Sequence, residues 1–267
     1  MKIIRFISDD NQVYCGTVET INDRSACLIQ GSLFGDFSLT DKWAGIKKIL
    51  PPVQPPNVIG IGLNYAGHAD ETGIQYPEIP VMFLKGTNAV AGYGDSIILP
   101  KTGPNEVDYE AELAVLIGKK AKNIPEDNVY DYVLGYCCAN DVSARDWQKH
   151  KQKKQWARGK SFDTFCPLGP WIVTKDEIPN PNDLSIRAEV NGIVMQHSNT
   201  GDMIFDVPFL ISHLSQSMTL LPGTVVLTGT PEGVGFTRQP PVFLREGDEV
   251  TISIEKIGRL TNPVVKE

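Results

Sequence analysis

The sequence has no long apolar segment. Its N-terminus, MKIIRFISDDNQV, is apolar only in short stretches, because Arg5 interrupts it and Asp9 and Asp10 end it. A signal peptide needs an unbroken apolar stretch, and a membrane-spanning helix needs about 20 apolar residues. We therefore predict a cytoplasmic protein with no membrane partner.

Cysteine and histidine are scarce. The chain has 5 cysteines and 4 histidines. The cysteines are odd in number and lack CxxC spacing, and no pair of histidines has the spacing of metal ligands. These residues disfavour a zinc site or a disulfide framework and favour buried free thiols.

An excess of positive charge is also missing. The chain has 25 lysines and arginines against 32 aspartates and glutamates, for a net charge of -7. The one dense basic run, Lys149 to Lys154, has no interleaved aromatic residues, so the sequence disfavours nucleic-acid binding. Such a run is typical of a solvated helix face. An acidic protein that recognises a dianionic substrate would, however, also need positive charge near its pocket.

Loops that bind nucleotide phosphates are absent. Gly60-Ile61-Gly62 follows an apolar stretch and begins like a dinucleotide fingerprint, but Tyr65 stands at the position of the third glycine. Neither GxxxxGK[ST] nor GxSxG occurs. A nucleotide-dependent oxidoreductase is therefore only a weak alternative.

Turn signals and prolines divide the chain into two parts. Residues 1 to about 50 contain short alternating runs that predict small strands. Four prolines between positions 51 and 56 cannot continue a helix or a central strand. We predict a small N-terminal β-rich domain with a proline linker over 1–55 and a larger domain over 56–267.

The larger part contains many short strand patterns and few helical ones. Strands are predicted at 57–62, 80–84, 95–99, 107–117, 133–139, 170–174, 186–190, 224–229 and 248–254. Helices are predicted at 65–72, 126–132, 143–152 and 203–217. This composition predicts a predominantly β fold of the α+β class, with a curved sheet, roll or sandwich.

The segment Asp108-Tyr109-Glu110-Ala111-Glu112 alternates carboxylates with other residues. Strand periodicity places the three acids on one face, which could simply be the wet face of a half-buried strand. The apolar run that follows instead suggests a strand entering a core, where like charges repel unless a hard cation binds them. Asp141, between a predicted strand and a predicted helix, is either the third ligand or a helix cap.

Three further segments contain candidate functional groups. A helical turn would bring His68 and Glu71 together as a base and its orienting carboxylate, or as an ordinary surface pair. Lys160, among small and aromatic residues, and the glycine loop at 228–235 suit anion binding, although each is weak by itself.

Seven segments, taken in order, resemble the fumarylacetoacetate hydrolase family, and in particular its "fumarylacetoacetate hydrolase domain-containing" branch. They are GLNYAGHADETG, DYEAELAVLIGK, NDVSARDWQ, GKSFDTFCPLGP, VNG, TGTPEGVG with the preceding PG, and GDEV. They span residues 57 to 265. The founding hydrolase uses an additional acidic residue without a clear counterpart here, so its role in tyrosine degradation is not transferred.

The resemblance implies a fold, a metal and a site. The fold is a mixed β-roll or sandwich that commonly forms a homodimer. Mg²⁺ or Mn²⁺, with Ca²⁺ as a possible substitute, is held by Glu110, Glu112 and Asp141. The implied catalytic residues are His68, Glu71 and Lys160, and the implied substrate contacts are Arg145, Gln148, Lys160 and Thr230.

The implied substrate is a small 2-oxo or enol acid. Polarisation of its oxo group would serve keto–enol tautomerisation, C–C hydrolysis of an acylpyruvate or decarboxylation of oxaloacetate. Activity like that of an oxaloacetate tautomerase or an acylpyruvate hydrolase is favoured. Oxaloacetate decarboxylation, or isomerisation and decarboxylation in homoprotocatechuate catabolism, is the alternative. A noncatalytic protein that binds small acids is the alternative of another class.

Overall fold

The computed structural model describes residues 1–267 and contains eighteen strands. The first nine are β1 Lys2–Ser8, β2 Val13–Val18, β3 Ser25–Gly31, β4 Phe37–Leu50, β5 Val58–Gly62, β6 Val81–Lys85, β7 Val90–Ala91, β8 Ile97–Leu99 and β9 Val107–Asp108. The remaining strands are β10 Ala111–Ile117, β11 Val133–Asn140, β12 Ser143–Ala144, β13 Cys166–Thr174, β14 Ser185–Val190, β15 Ile193–Asn199, β16 Val225–Leu227, β17 Glu249–Ile254 and β18 Gly258–Lys266.

Helices are few and short. The α-helices are α1 Ala66–Thr72, α2 Trp156–Gly159 and α3 Val207–Ser217. A π-helical turn covers Trp147–Lys151, and short 3₁₀ turns connect other elements. No helix is both long enough and apolar enough to cross a membrane.

The strands form two large mixed sheets and one small pair. An eleven-stranded sheet runs in the order β2-β3-β4-β1-β13-β11-β10-β16-β5-β6, with β7 beside β13. A five-stranded sheet has the order β15-β14-β17-β18-β8, and β9 pairs with β12. One hydrophobic cluster draws on buried side chains of both large sheets. The predicted α+β, predominantly β class is confirmed.

Strands β10 and β13 lie at the centre of the eleven-stranded sheet, and every residue of both is buried. The apolar run Leu113 to Ile117 therefore has protein on both faces, as its lack of alternation predicts. Antiparallel β11 lies beside β10 and pairs Ala111 with Asn140. This register brings the start of β10 next to the end of β11.

The strand predicted over 107–117 is interrupted at Tyr109 and Glu110. Side-chain acceptors replace the strand ladder there: the Asp108 carboxylate accepts from the Tyr109 amide at 2.9 Å, and the Asn140 side chain accepts from the Glu110 amide at 3.0 Å. The predicted helix over 143–152 is likewise replaced by β12 and the π-helical turn. Local hydrogen bonds of this kind compete with regular structure.

The N-terminal strands β1 to β4 form an antiparallel group. Residues 51–57, which include the prolines, contain no regular element. Strand β1 also pairs with β13, with Lys2 opposite Val173, so the sheet continues across the proline segment. The division into domains 1–55 and 56–267 stays a prediction.

Candidate active site and metal centre

Three carboxylates converge where β10 begins and β11 ends. Glu110 and Glu112 flank the first residue of β10, and Asp141 follows β11. The Asp141 amide donates to the Glu110 carbonyl at 2.9 Å, which fixes the two segments against each other. One carboxylate oxygen of each residue lies within 4.8 Å of those of the other two, and the three residues are at most 4% exposed. The structure thus brings together all three predicted metal ligands.

The two glutamates have opposite electrostatic surroundings. Burial and the neighbouring carboxylates of Asp141 and Glu110 raise the pKa of Glu112 well above its ordinary value. Burial also opposes ionisation of Glu110, but the cations of Lys160 and Arg145 hold its pKa below the ordinary range. A cluster of buried acids with only oxygen donors favours a hard divalent cation.

Lys160 lies against this cluster. Its ammonium donates to Glu110 at 2.8 Å, to Ser143 Oγ at 2.8 Å and to Asp141. Burial disfavours the charged form, but Asp141 and Glu110 outweigh it and raise the pKa of Lys160. Lys160 is therefore an ammonium, which can attract negative charge but cannot act as a base.

A second buried lysine was missed from the sequence. The Lys85 ammonium contacts the Asp141 carboxylate and donates to the Val142 carbonyl at 3.2 Å, and its side chain is completely buried. Alternation in β6 places Lys85 on the same inward face as Phe83. That inward position is the only sequence signal for it.

Arg145 connects the acidic cluster to the loop after β16. Its Nε donates to Asp108 at 2.9 Å, and its Nη1 lies 2.7 Å from Glu110 and 2.9 Å from Gln148 Oε1. Asp108 in turn accepts from the amide of Gly235 at 2.7 Å. Asp108 thus orients Arg145, whereas the sequence alone placed it with the other two acids.

His68 and Glu71 form a pair on α1. His68 Nδ1 lies 2.7 Å from Glu71 Oε1. Glu71 Oε2 accepts from the Gly233 amide and the Thr237 hydroxyl, both at 2.9 Å. Burial opposes ionisation of Glu71, but these hydrogen bonds and His68 lower its pKa. The predicted helix ends at Gly73 in the left-handed conformation, with φ of 66°.

Thr230 is held by a glutamine that the sequence analysis did not single out. The Gln196 amide donates to the Thr230 hydroxyl and to the Pro231 carbonyl, both at 2.8 Å. The preceding Gly229 has φ of +101° and donates its amide to Glu112 at 2.7 Å. An added Cβ there would lie 2.7 Å from the Asn64 Cβ, so this close turn requires glycine.

These groups surround a cavity of ≈ 170 Å³. Its apolar wall consists of Ile61, Leu63, Ile74, Phe83, Trp156 and Phe236. Its polar wall consists of His68, Thr72, Glu110, Glu112, Arg145, Gln148, Lys149, Lys160 and Thr230. Asp141 lies behind this wall, between the two buried lysines. The fold and the site are those of an enzyme with a buried acidic centre.

Comparison with known proteins identifies the family. Residues 57–265 match the family described as Fumarylacetoacetate (FAA) hydrolase C-terminal. The chain is 50% identical over 222 residues to "Oxaloacetate tautomerase fahd2, mitochondrial" of Xenopus laevis, and the aligned region covers 83% of this chain and 69% of the relative. It is 51% identical over 217 residues to "Oxaloacetate tautomerase Fahd2a, mitochondrial" of Rattus norvegicus, and the aligned region covers 81% of this chain and 69% of that relative. The chain belongs to the fumarylacetoacetate hydrolase family, as its motifs predicted.

A solved structure supports the same assignment. The 5-carboxymethyl-2-hydroxymuconate delta-isomerase from Mycobacterium smegmatis matches with a TM-score of 0.88 at 41% identity, and the match covers 100% of both chains. These relatives support the predicted enzyme activity. The reaction, the metal and the homodimer stay predictions.

The prediction of a cytoplasmic location is wrong, because the Xenopus and rat relatives are named as mitochondrial proteins. It rested on the N-terminal pattern, and the lack of a secretory signal or a membrane span does not distinguish one compartment inside the cell from another.

Proposed function

We propose that this protein interconverts the keto and enol forms of a small 2-oxo acid such as oxaloacetate, with Mg²⁺ or Mn²⁺ held by Glu110, Glu112 and Asp141. The observation that carries the proposal is the convergence of three buried carboxylates beside a cavity that His68 also lines. The names of the relatives at about half identity support the substrate.

The donor set fits such an ion. All three ligands are carboxylates, and burial together with mutual repulsion leaves Glu112 reluctant to ionise without a cation. When bound, a divalent cation supplies Lewis-acid polarisation of the substrate's oxo group. The protein's own side chains then orient the acid and move its proton.

His68 is the proposed base. Glu71 has a lowered pKa and is ionised, so it accepts the Nδ1 proton of His68 at 2.7 Å. This hydrogen bond selects the tautomer with a free electron pair on Nε2. Nε2 can remove the proton from the carbon next to the oxo group, and the resulting imidazolium can give a proton to the enolate oxygen, directly or through solvent, to form the enol. The reverse transfers regenerate the keto form.

Positive and neutral donors position the substrate. Lys160 is an ammonium and stabilises negative charge that develops on the oxo group. The Nη2 of Arg145 lies 2.8 Å from Asp108 but makes no aligned hydrogen bond, so it retains a donor for a substrate carboxylate. Gln148 and Thr230 line the same cavity and provide neutral polar contacts.

A second candidate is the isomerisation of an unsaturated dicarboxylic acid, because the similar solved structure is described as a delta-isomerase. Both reactions shift a proton by way of an enol, so both need a base and neither needs a nucleophilic water. C–C hydrolysis, the reaction after which the family is named, would additionally need a water nucleophile.

The test follows the ultraviolet absorbance of the enol of oxaloacetate with Mg²⁺, Mn²⁺ or EDTA, beside acetylpyruvate and fumarylpyruvate. We expect rapid metal-dependent ketonisation that His68→Ala abolishes. His197→Ala is the matched control, because His197 is exposed on β15. An unchanged ketonisation rate in His68→Ala would remove the histidine from the base role, and full activity in EDTA would remove the metal.

A further inference from the structure

Lys149 has a position that neither the fold nor the proposed chemistry explains. It follows Gln148 in the π-helical turn and lines the same cavity as the acidic cluster. Its ammonium lies 3.2 Å from the centre of the Phe236 ring. The Arg145 guanidinium carbon lies 4.5 Å from the centre of the same ring. The basic run therefore begins inside the active site, although its remaining lysines are exposed.

The other cations around the cavity already have carboxylate partners. Arg145 is paired with Asp108 and Glu110, and Lys160 with Glu110 and Asp141. Lys85, behind the cavity wall, is paired with Asp141. Lys149 has no carboxylate within 4 Å, although its side chain is only partly exposed. It is the one cation lining the cavity that has no carboxylate partner.

We propose that Lys149 binds the second carboxylate of the substrate, so that this site selects small dicarboxylic 2-oxo acids over monocarboxylic ones. The reaction assigned to the site rests on the function proposed above, but the charge selectivity does not. Partial burial and the nearby Arg145 cation lower the pKa of Lys149 to about 8, because the negative charges around its ammonium do not fully offset these two effects in the free protein. A substrate carboxylate that binds there supplies the missing negative charge.

The kinetic test compares oxaloacetate with its 4-methyl ester, which keeps the reacting carbon and neutralises the distal carboxylate. We expect Lys149→Met to lower kcat/KM for oxaloacetate by about tenfold or more, the ratio that one charge-assisted hydrogen bond gives. The loss should appear as a higher KM for oxaloacetate, whereas kcat/KM for the methyl ester should hardly change. Lys149→Arg should restore the preference for oxaloacetate over its ester. Lys154→Met is the matched control, since Lys154 is exposed in the same run.

A binding test separates this inference from the proposed reaction. Malate and lactate share a 2-hydroxy acid group, differ in the distal carboxylate, and have no oxo group to enolise. With Mg²⁺ present, the wild type should bind malate more tightly than lactate by calorimetry, and Lys149→Met should remove that preference.

The outcomes distinguish the two claims. A malate preference that depends on Lys149, together with no oxaloacetate turnover, supports the selectivity and refutes the tautomerase proposal. If the wild type turns over oxaloacetate and Lys149→Met loses kcat/KM equally for oxaloacetate and for its methyl ester, the selectivity is refuted and the tautomerase proposal is not. If Lys149→Met has a lowered Tm, Lys149→Gln provides the same comparison, and unchanged selectivity in either folded variant refutes the role of Lys149.

Discussion

Glu112→Gln is the substitution that tests the acidic cluster most sharply. It preserves shape, and the amide oxygen can still accept the Gly229 N–H that now binds the carboxylate at 2.7 Å. The substitution removes a carboxyl group whose ionisation is opposed by burial and by the carboxylates of Asp141 and Glu110. It should therefore stabilise the metal-free protein and, at the same time, abolish the metal site. A purely structural role for Glu112 predicts the opposite sign for stability.

The magnitude follows from the separation of the charges. Two carboxylates within 4.8 Å repel each other by about 3 kcal/mol at an effective dielectric constant near 20. Glu112 faces two such neighbours, and Lys160 offsets roughly one of them. We expect the free energy of unfolding of the metal-free variant to rise by about 1–3 kcal/mol, since partial protonation already relieves some repulsion in the wild type.

The assay is urea unfolding and thermal unfolding in EDTA and in Mg²⁺. For a chain of this length, each kcal/mol shifts Tm by roughly 2–4 °C. The wild type should gain stability when Mg²⁺ is added, because the ion binds only the folded state, and the variant should not. Glu78→Gln, at an exposed residue, controls for the loss of one negative charge.

Two results would refute this reasoning. A metal-free Glu112→Gln protein that is less stable than the wild type would show that the carboxylates do not repel each other as the geometry requires. A variant that keeps the full Mg²⁺-induced gain in stability would place the metal elsewhere.

Three further predictions concern residues around the cluster. Lys85→Met should lower the free energy of unfolding, measured by urea unfolding, by about 3–5 kcal/mol, because it leaves the buried Asp141 charge with one partner fewer. An unchanged free energy of unfolding would contradict the buried ion pair. Glu71→Gln should lower kcat by roughly 10²-fold or more with little change in metal affinity, because it removes the charge that selects the His68 tautomer. Equal losses of kcat and of metal affinity would indicate a structural role. Lys149 faces the cation of Arg145 and the acids Asp108, Glu106 and Glu110, and its pKa of about 8 lies below the ordinary value. Its ammonium is therefore present below pH 8 and lost above it, so KM for oxaloacetate should rise above about pH 8 in the wild type and stay flat in Lys149→Arg.

Much of the fold could be predicted from the sequence, because the relevant patterns are local. Unbroken apolar runs predicted the buried strands β10 and β11, and a helix ending at Gly73 was predicted where α1 lies. The interruption at Tyr109 and Glu110 was not predictable, because the acceptor for the Glu110 amide is the side chain of Asn140, thirty positions away.

The candidate site shows the same limit. Its members were identified as ordered motifs, and family resemblance rather than spacing assigned most of their roles. The position of Lys149 was missed, because a lysine that lines a cavity and a solvated one have the same local sequence signal. Lys85 had only the strand alternation of β6 as a signal, and Gln196 was missed because its partners Thr230 and Pro231 lie more than thirty positions away. Asp108 shared a strand pattern with Glu110 and Glu112, but only the tertiary structure separated its role as the partner of Arg145.

The sequence by itself determined the class of the molecule: a predominantly β fold, an acidic protein without nucleotide loops, and a set of carboxylates in the order of one family. Only the tertiary structure decided which charges meet. The pairing of β10 with β11 brings Asp141 to Glu110 and Glu112, and the π-helical turn places Lys149 in the same cavity. The physical reason is that electrostatic pairing depends on separations of a few ångströms between distant parts of the chain, and a linear pattern does not contain those separations.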